Sequence, residues 1–412
     1  MPVPQAVAMV VVVGACMAST ALALLHAHVH VAHKHELSTF VGAGRNVASY
    51  RSVAIEVAGP RFGDAVSVVM AVGIFGGCVG VIRIVRDMMP HMTKLLYGVF
   101  YPSRRFDELS GKSQQLLENA LLWGTFLVVV FPLCSLKSLS GLRIPNCVGF
   151  VFSLVLIGAV VYRSETHETL DVLSGRAPIE RSLRGASDTS TISTAFQLSR
   201  FAQSVSIYSY AFTMHLNLLP LFVQLRGSFD SPLHESAARM TRCIACVTSL
   251  CVALYITFGV FAARLYGATT RGNVLVNLVS DSFMQLPLIA VFITVLVSFP
   301  PLFHPGRCIV EELIHRRPAA DLPTRSHVQT AAILLLAELF VAIWVPGIEV
   351  VFALVGASTT VLICYVFPVV MFSALWPWRS TGVGWASCAL LWGIVAFVAV
   401  MGIQTITFLL SS

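Results

Sequence analysis

Charged side chains are scarce in this sequence. Only 11% of its 412 residues are Asp, Glu, Lys or Arg, whereas 56% are hydrophobic. Soluble domains carry roughly 25% charged residues, so the composition excludes a soluble globular protein and indicates a polytopic helical membrane protein. The net charge of +7 is spread over many loops and forms no basic block. Nucleic acid is therefore not a predicted partner, whereas the lipid bilayer is.

The sequence also lacks the motifs that enzymes and metal proteins use. Its loops contain no nucleophile–base pair, phosphate-binding loop or redox motif, so we predict that the protein is not an enzyme. Nearly all of the ten cysteines lie in or beside apolar runs, which indicates small buried residues rather than disulfides. His26 and His30 share a helix face that suits a divalent metal. No carboxylate or Cys accompanies them, so we predict an interfacial segment and no metal site.

Long apolar runs predict ten transmembrane helices, because about 20 apolar residues cross a bilayer. Polar connections are predicted over residues 33–62 and 163–199, and a basic loop over residues 83–112. The first run could be a signal peptide, but no Lys or Arg precedes it and it is too long, which favours a retained span. The ten predicted spans are residues 3–32, 63–84, 117–136, 146–162, 200–226, 243–266, 283–303, 328–344, 350–375 and 383–410.

The fifth span is the most polar of the ten, although no charged residue stands between Arg200 and Arg226. Polar groups at membrane depth occur where protein or water surrounds them. We therefore predict a broken helix that lines a site, against the alternative of a buried helix with satisfied polar side chains. The polar residues are Ser204, Ser206, Tyr208, Ser209, Tyr210, Thr213, His215 and Asn217, and Pro220 follows them.

Glu338 is the acidic residue deepest within an apolar run, AAILLLAELFVAIW. A carboxyl group there indicates either a proton relay or a structural charge with a partner. Arg83 and Arg264 are the candidate partners. Pairing or snorkelling is the favoured interpretation, and proton coupling is the alternative.

Several short motifs in a fixed order resemble those of the eukaryotic amino acid/auxin permeases, relatives of the vesicular inhibitory and sodium-coupled neutral amino acid transporters. The resemblance covers most of the chain from residue 49 onward. It departs from the family at the start, where the family's first span, with a G-x-G-type break, has no counterpart. The matching motifs are Ser49-Tyr50, Phe212-Thr213-Met214-His215 with Pro220, Tyr266-Gly267, Ser298-Phe299-Pro300 with Pro305 and Arg307, Gly356-Ala357, and Phe367-Pro368.

The resemblance implies an inverted-repeat transporter fold, with ten spans instead of eleven and the first helix missing. It implies one transmembrane domain: an incomplete first repeat (residues 1–199), a second repeat (200–375) and an extra C-terminal span (376–412). The implied function is secondary-active, alternating-access transport of an amino acid at the plasma membrane or a vacuolar or lysosomal membrane. The alternative is a truncated protein that does not transport: a sensor, an interaction partner or an inactive remnant.

The resemblance also implies the site residues. The substrate would bind at the broken helix around residues 208–217, where free N–H groups attract its carboxylate and unwound carbonyls its ammonium. The expected substrate contacts are Tyr210, Phe212, Thr213, Met214 and His215. No cofactor is expected, and Na⁺ or H⁺ is the candidate coupling ion. Thr294 and Ser298 are the candidate Na⁺ ligands, against the alternative that Ser298 only satisfies the backbone near Pro300.

Overall fold

A computed structural model describes residues 3–39, 49–103, 105–137, 143–173, 194–226, 232–375 and 382–411, and these residues are helical with short connections. Six-residue π-helical turns join α4 to α5 (Thr125–Val130) and precede α14 (Val361–Val366). The α-helices are α1 (Val3–Thr39), α2 (Tyr50–Ala58), α3 (Pro60–Phe100), α4 (Gly111–Gly124), α5 (Phe131–Cys134), α6 (Arg143–Leu173), α7 (Thr194–Ala211), α8 (His215–Arg226), α9 (Leu233–Tyr266), α10 (Leu275–Leu278), α11 (Gln285–His315), α12 (Thr324–Trp344), α13 (Ile348–Ala357), α14 (Phe367–Leu375) and α15 (Gly382–Ser411).

Nine helical segments in the described part of the chain are long and apolar enough to cross a membrane. Each of them overlaps one of the predicted spans. The remaining predicted span, residues 200–226, contains most of α7 and all of α8, which are separate helices. The all-helical, polytopic membrane fold expected from the composition is therefore confirmed.

The predicted connections were partly wrong, because helices extend into them. The stretch predicted as a basic loop from Arg83 begins as helix, since α3 continues to Phe100. The connection at residues 33–62 contains the end of α1 and all of α2. The connection at residues 163–199 contains the end of α6, up to Leu173, and the start of α7. Hydropathy detects only the apolar part of a helix. The helix continues into polar sequence where its polar side chains find hydrogen-bond or ion-pair partners.

Local sequence explains the sharp turn between α2 and α3. Ser49 caps α2 by accepting a hydrogen bond from the Ser52 backbone N–H at 3.1 Å. Gly59 ends α2 with a φ of 83°, in a backbone region that favours glycine. Pro60 then starts α3 at a position where its missing N–H is not needed.

The first of two compact units consists of Met1–Gly73, Ile192–Ile256 and Phe352–Ser412. Within it, α1 packs against α7 and α14, and α7 packs against α15. Small residues allow the closest approaches. A Cβ atom added at Gly356 would lie 2.0 Å from the Ser206 carbonyl oxygen, so α13 touches the backbone of α7. This packing surrounds the junction between α7 and α8 on several sides.

The second compact unit consists of Ile74–Thr191 and Thr257–Val351. Here α6 packs along α11, and α12 contacts both α11 and α5. The division of the chain into sequential repeats (residues 1–199 and 200–375) stays a prediction. The hydrophobic core of this unit contains Met88, Met92, Leu156, Val160, Leu278, Met284 and Leu288.

Candidate functional site

The candidate site lies where one predicted span is interrupted. α7 ends at Ala211 and α8 begins at His215, so residues 212–214 are not helical. The break leaves the last carbonyls of α7 and the first N–H groups of α8 without partners inside their own helices. Three contacts hold the backbone at the break: Phe212 N to Tyr208 O at 3.1 Å, Thr213 N to Tyr210 O at 3.0 Å, and Thr213 Oγ1 to Ser209 O at 3.3 Å.

Aromatic rings flank the break. Tyr210 stacks on Phe352 with the ring centroids 4.5 Å apart, and the buried Phe212 packs on Tyr255 at 5.1 Å. The Tyr255 hydroxyl donates a hydrogen bond to the Ala211 carbonyl at 3.0 Å, which satisfies one group at the end of α7. Aromatic contacts of this kind fix ring positions and supply apolar surface beside the exposed backbone groups.

His215, the first residue of α8, is completely buried. Its Nε2 atom lies 3.2 Å from the hydroxyl of Thr20, a buried residue of α1. Its Nδ1 atom has no hydrogen-bond partner among the described residues. A buried polar atom without a partner is costly in a native protein, so this nitrogen marks the junction as a place where a ligand atom would be favourable.

A second set of polar contacts links α7 to the π-helical turn. The Ser209 hydroxyl lies 3.0 Å from the hydroxyl of Tyr365, and both residues are buried. The Tyr50 hydroxyl donates to the Ile363 carbonyl at 2.7 Å, in the same turn. A π-helical turn widens a helix locally and is frequent at functional sites. It therefore places hydroxyl groups beside the break within the first unit.

Four of the five predicted substrate contacts have a ring contact or a hydrogen bond in the structure: Tyr210, Phe212, Thr213 and His215. Met214 is half-buried, and its carbonyl accepts a hydrogen bond from the Asn217 N–H at 3.3 Å. Their role in binding a substrate stays a prediction. The sequence interpretation missed Thr20, Tyr255 and Tyr365. A polar residue within a long apolar run was the available signal for each of them. Thr20, for example, lies within the apolar run that forms α1.

The predicted sodium ligands lie in the second unit. Thr294 Oγ1 donates to the Ala290 carbonyl at 2.8 Å, and Ser298 Oγ donates to the Val295 carbonyl at 3.1 Å. Each hydroxyl thus satisfies the backbone of its own helix, which still leaves oxygen lone pairs for an ion. Their role as Na⁺ ligands stays a prediction. Within the ranges that the structure describes, no group of three or more His, Cys, Asp or Glu residues could hold a metal ion.

Comparison with known families assigns the chain to one of them. A family model described as "Transmembrane amino acid transporter protein" matches residues 5–411, so the chain belongs to this family. Together with the nine apolar helices, this match shows a multi-pass integral membrane protein. The family and the relatives below are transporters rather than enzymes.

The chain is similar to amino acid transporters from plants and fungi. It is 28% identical to amino acid transporter AVT6C of Arabidopsis thaliana over 38% of this chain and 36% of that protein. It is 21% identical to vacuolar amino acid transporter 2 of Saccharomyces cerevisiae over 71% of this chain and 57% of that protein. It is 23% identical to vacuolar amino acid transporter 5 of Schizosaccharomyces pombe over 79% of this chain and 69% of that protein. The matched region thus spans less than two thirds of the first two relatives.

Proposed function

We propose that the protein is a secondary-active amino acid transporter that binds its substrate at the break between α7 and α8 and works by alternating access. Na⁺ or H⁺ would drive it. The protein would lie in the plasma membrane or a vacuolar membrane, and the names of the similar fungal proteins, which are vacuolar amino acid transporters, support the vacuolar membrane. The single observation that carries the proposal is the helix break with the buried His215 at the start of α8.

The break suits both charged groups of an amino acid. The N–H groups and the positive end of the dipole of α8 favour a carboxylate at its N-terminus. The carbonyls at the end of α7 already accept hydrogen bonds, from Phe212, Thr213 and Tyr255, but each oxygen has a second lone pair for an ammonium. No charged side chain is needed, which agrees with the lack of charge between Arg200 and Arg226.

The contact with Thr20 sets the tautomer that we propose for His215. The Thr20 hydroxyl carries one hydrogen and lies 3.1 Å from the Met17 carbonyl and 3.2 Å from the Cys16 carbonyl, both of which only accept. Its contact with His215 is then donated by the imidazole, from Nε2–H. Nδ1 consequently carries the lone pair, and it is the acceptor that the substrate ammonium would use.

Replacing Thr20 by Val is expected to weaken amino acid binding about tenfold. Val has the size of Thr but cannot accept the Nε2–H hydrogen bond, and a buried donor left unpaired costs about 1–3 kcal/mol, of which 1.4 kcal/mol is a factor of ten. The ring would then turn towards another partner and lose its orientation at the break. Binding of each radiolabelled standard amino acid to the purified protein measures the effect.

Two matched variants make this test specific. Thr20→Ser keeps the hydroxyl and should bind as the wild type does. Ser19→Ala removes a neighbouring hydroxyl that only donates to the Ala15 carbonyl at 2.8 Å, and it should also bind normally. Equal amino acid affinity of T20V and T20S would show that His215 Nδ1 does not bind the substrate ammonium. If the wild type binds no amino acid and takes none up into proteoliposomes, the proposed function is wrong.

A further inference from the structure

The second unit contains a buried carboxyl group for which the family assignment offers no role. Glu338, in α12, is 2% exposed, and its Oε2 atom has no hydrogen-bond partner among the described residues. The Cys78 thiol of α3 interacts with the same carboxyl group. Burial this deep rules out snorkelling to the membrane surface, which was one half of the favoured sequence interpretation.

The other half of that interpretation is structural pairing, for which Arg83 and Arg264 are the candidates, and each of these arginines contacts other groups in the described residues. Arg83 forms an ion pair with Asp87 at 3.1 Å and donates to the Pro346 carbonyl at 3.0 Å. Arg264 lies 3.4 Å from Glu165. Across the described ranges, neither arginine forms an ion pair with Glu338. A lone carboxylate is expensive to bury, whereas a neutral carboxyl group is not, so the proton itself is the natural partner of this group.

Two thiols interact with Glu338: that of Cys78 in α3 and that of Cys134 in α5. Arg307 of α11 interacts with Cys134 in turn, and its guanidinium already donates to the Cys134 carbonyl at 2.7 Å and the Leu136 carbonyl at 2.9 Å. In the described part of this unit, no ion pair neutralises the Glu338 carboxylate in place of a bound proton.

A charged cavity of about 560 Å³ lies within the same unit as this carboxyl group. Three arginines and three acidic residues are among its lining residues: Arg83, Arg86, Asp87, Glu118, Arg271 and Glu349. Polar walls of this kind hold water, since a cavity with several polar partners hydrates readily. The cavity can therefore bring water into the second unit.

Arg86 connects the cavity to the helix that carries Glu338. Its guanidinium lines the cavity and donates to the carbonyls of Ala342 at 3.3 Å and Ile343 at 2.5 Å, near the end of α12. Ala342 is one helical turn from Glu338 on the same buried face, about 6 Å along the axis at 1.5 Å per residue. The carboxyl group thus lies about one turn beyond a residue that the cavity wall contacts.

We propose that Glu338 is a proton-binding site of the second unit, exchanges its proton with water in the charged cavity, and couples proton binding to the transport cycle. In the exchange, the O–H bond of the carboxyl group breaks and the proton passes to a water molecule. The electron pair stays on the carboxylate oxygen. The coupling rests on the proposed function, whereas the proton binding does not.

Infrared difference spectroscopy on the full chain in lipid tests the proton binding directly. The wild type should show the C=O stretch of a protonated carboxyl group at neutral pH and lose it as the pH is raised. Glu338→Gln should lack this band. The control Glu165→Gln, which removes a carboxyl group that is exposed in its pair with Arg264, should keep it. Identical spectra of wild type and E338Q, or a band that never titrates, would overturn the proposal.

The route through the cavity has its own matched pair of variants. Asn119 lines the cavity, whereas Leu116 on the same helix is exposed and does not. Asn119→Trp should slow hydrogen–deuterium exchange of the Glu338 band, and Leu116→Trp should leave the exchange rate unchanged. Equal rates in the two variants would overturn the cavity as the route.

Proteoliposome transport tests the coupling. A pH difference of one unit can support about tenfold accumulation when one proton is coupled to each substrate, at 1.36 kcal/mol per unit. E338Q should lose this accumulation and keep exchange of labelled for unlabelled amino acid. Unchanged accumulation in E338Q would overturn the coupling. If the wild type shows no exchange at all, the proposed transport function fails, while the infrared result still decides whether Glu338 binds a proton.

Discussion

Alanine at Gly356 is expected to destabilise the protein by about 3 kcal/mol, the upper end of the range for overpacked helix contacts. Its Cβ atom would lie 2.0 Å from the carbonyl oxygen and 2.6 Å from the carbonyl carbon of Ser206. Because both atoms belong to the backbone of α7, no side-chain rotation can relieve the clash. The two helices would have to separate, and the thermal-unfolding midpoint in detergent should fall.

The same change should also weaken substrate binding, because Ser206 stands five residues before the end of α7 at Ala211. α15 reinforces the contact between α7 and α13. The Ser206 hydroxyl lies 3.1 Å from that of Thr405 in α15, and a Cβ atom at Gly402 would lie 2.6 Å from the Ala357 carbonyl oxygen. Displacing α7 from α13 would therefore disturb α15 and the break together.

Gly393→Ala is the matched control. Gly393 also lies in a helix, α15, but an added Cβ atom would meet nothing within 4 Å. Since Gly is about 1 kcal/mol less favourable than Ala in a helix interior, this change should leave the unfolding midpoint unchanged or raise it. An unfolding midpoint of G356A equal to that of the wild type would contradict the close contact between α13 and α7.

The sequence predicted the apolar helices because bilayer thickness fixes their length and composition. It also predicted the broken helix around residues 208–217, since polar residues without formal charge concentrate there and Pro220 follows. Both features depend only on residues that are close together in the sequence. For the same reason the resemblance could assign short motifs such as Gly356-Ala357 without showing that Gly356 contacts the backbone of α7.

Features that depend on tertiary partners were not predictable. The charges at Arg83 and Arg86 were interpreted as a loop, yet both lie inside α3 because Asp87 and the carbonyls of Ala342, Ile343 and Pro346 satisfy them. Thr20 gave no local sign that it contacts His215, which is 195 positions away. Hydropathy treats every charge as facing water, and it cannot show which charges find partners within the protein.

Replacing Arg307 by Ala is the second change expected to have a large effect. This side chain, 1% exposed, donates to the carbonyls of Cys134 and Leu136, and its Nε atom lies 3.7 Å from Glu311. Glu311 is itself buried and contacts His327 Nδ1 with both oxygens, at 2.9 and 2.8 Å. Removing one partner of a buried ion pair typically costs about 3–5 kcal/mol, because the remaining charge is left uncompensated.

Two further variants separate the charge from the hydrogen bonds. Arg307→Lys keeps the charge, but lysine has no planar fork for two carbonyls and a carboxylate. It should therefore lower the free energy of unfolding, by less than R307A does. Glu311→Gln removes the uncompensated anion. In the double variant R307A/E311Q the losses should therefore be less than additive, by about 0.5–3 kcal/mol, the coupling expected of residues in contact. Thermal and denaturant unfolding in detergent would measure the cycle.

The pair between Arg239 and Glu235 provides the control, because it has the same i,i+4 spacing on a helix but is half exposed, at 51% for each side chain. Exposed pairs contribute about 0–1 kcal/mol, so Arg239→Ala should be nearly neutral. If R307A is as mild as R239A, then Arg307 does not hold α11 to the end of α5. If R307A is severe and its loss simply adds to that of E311Q, the carbonyl contacts rather than the ion pair stabilise this end of the second unit.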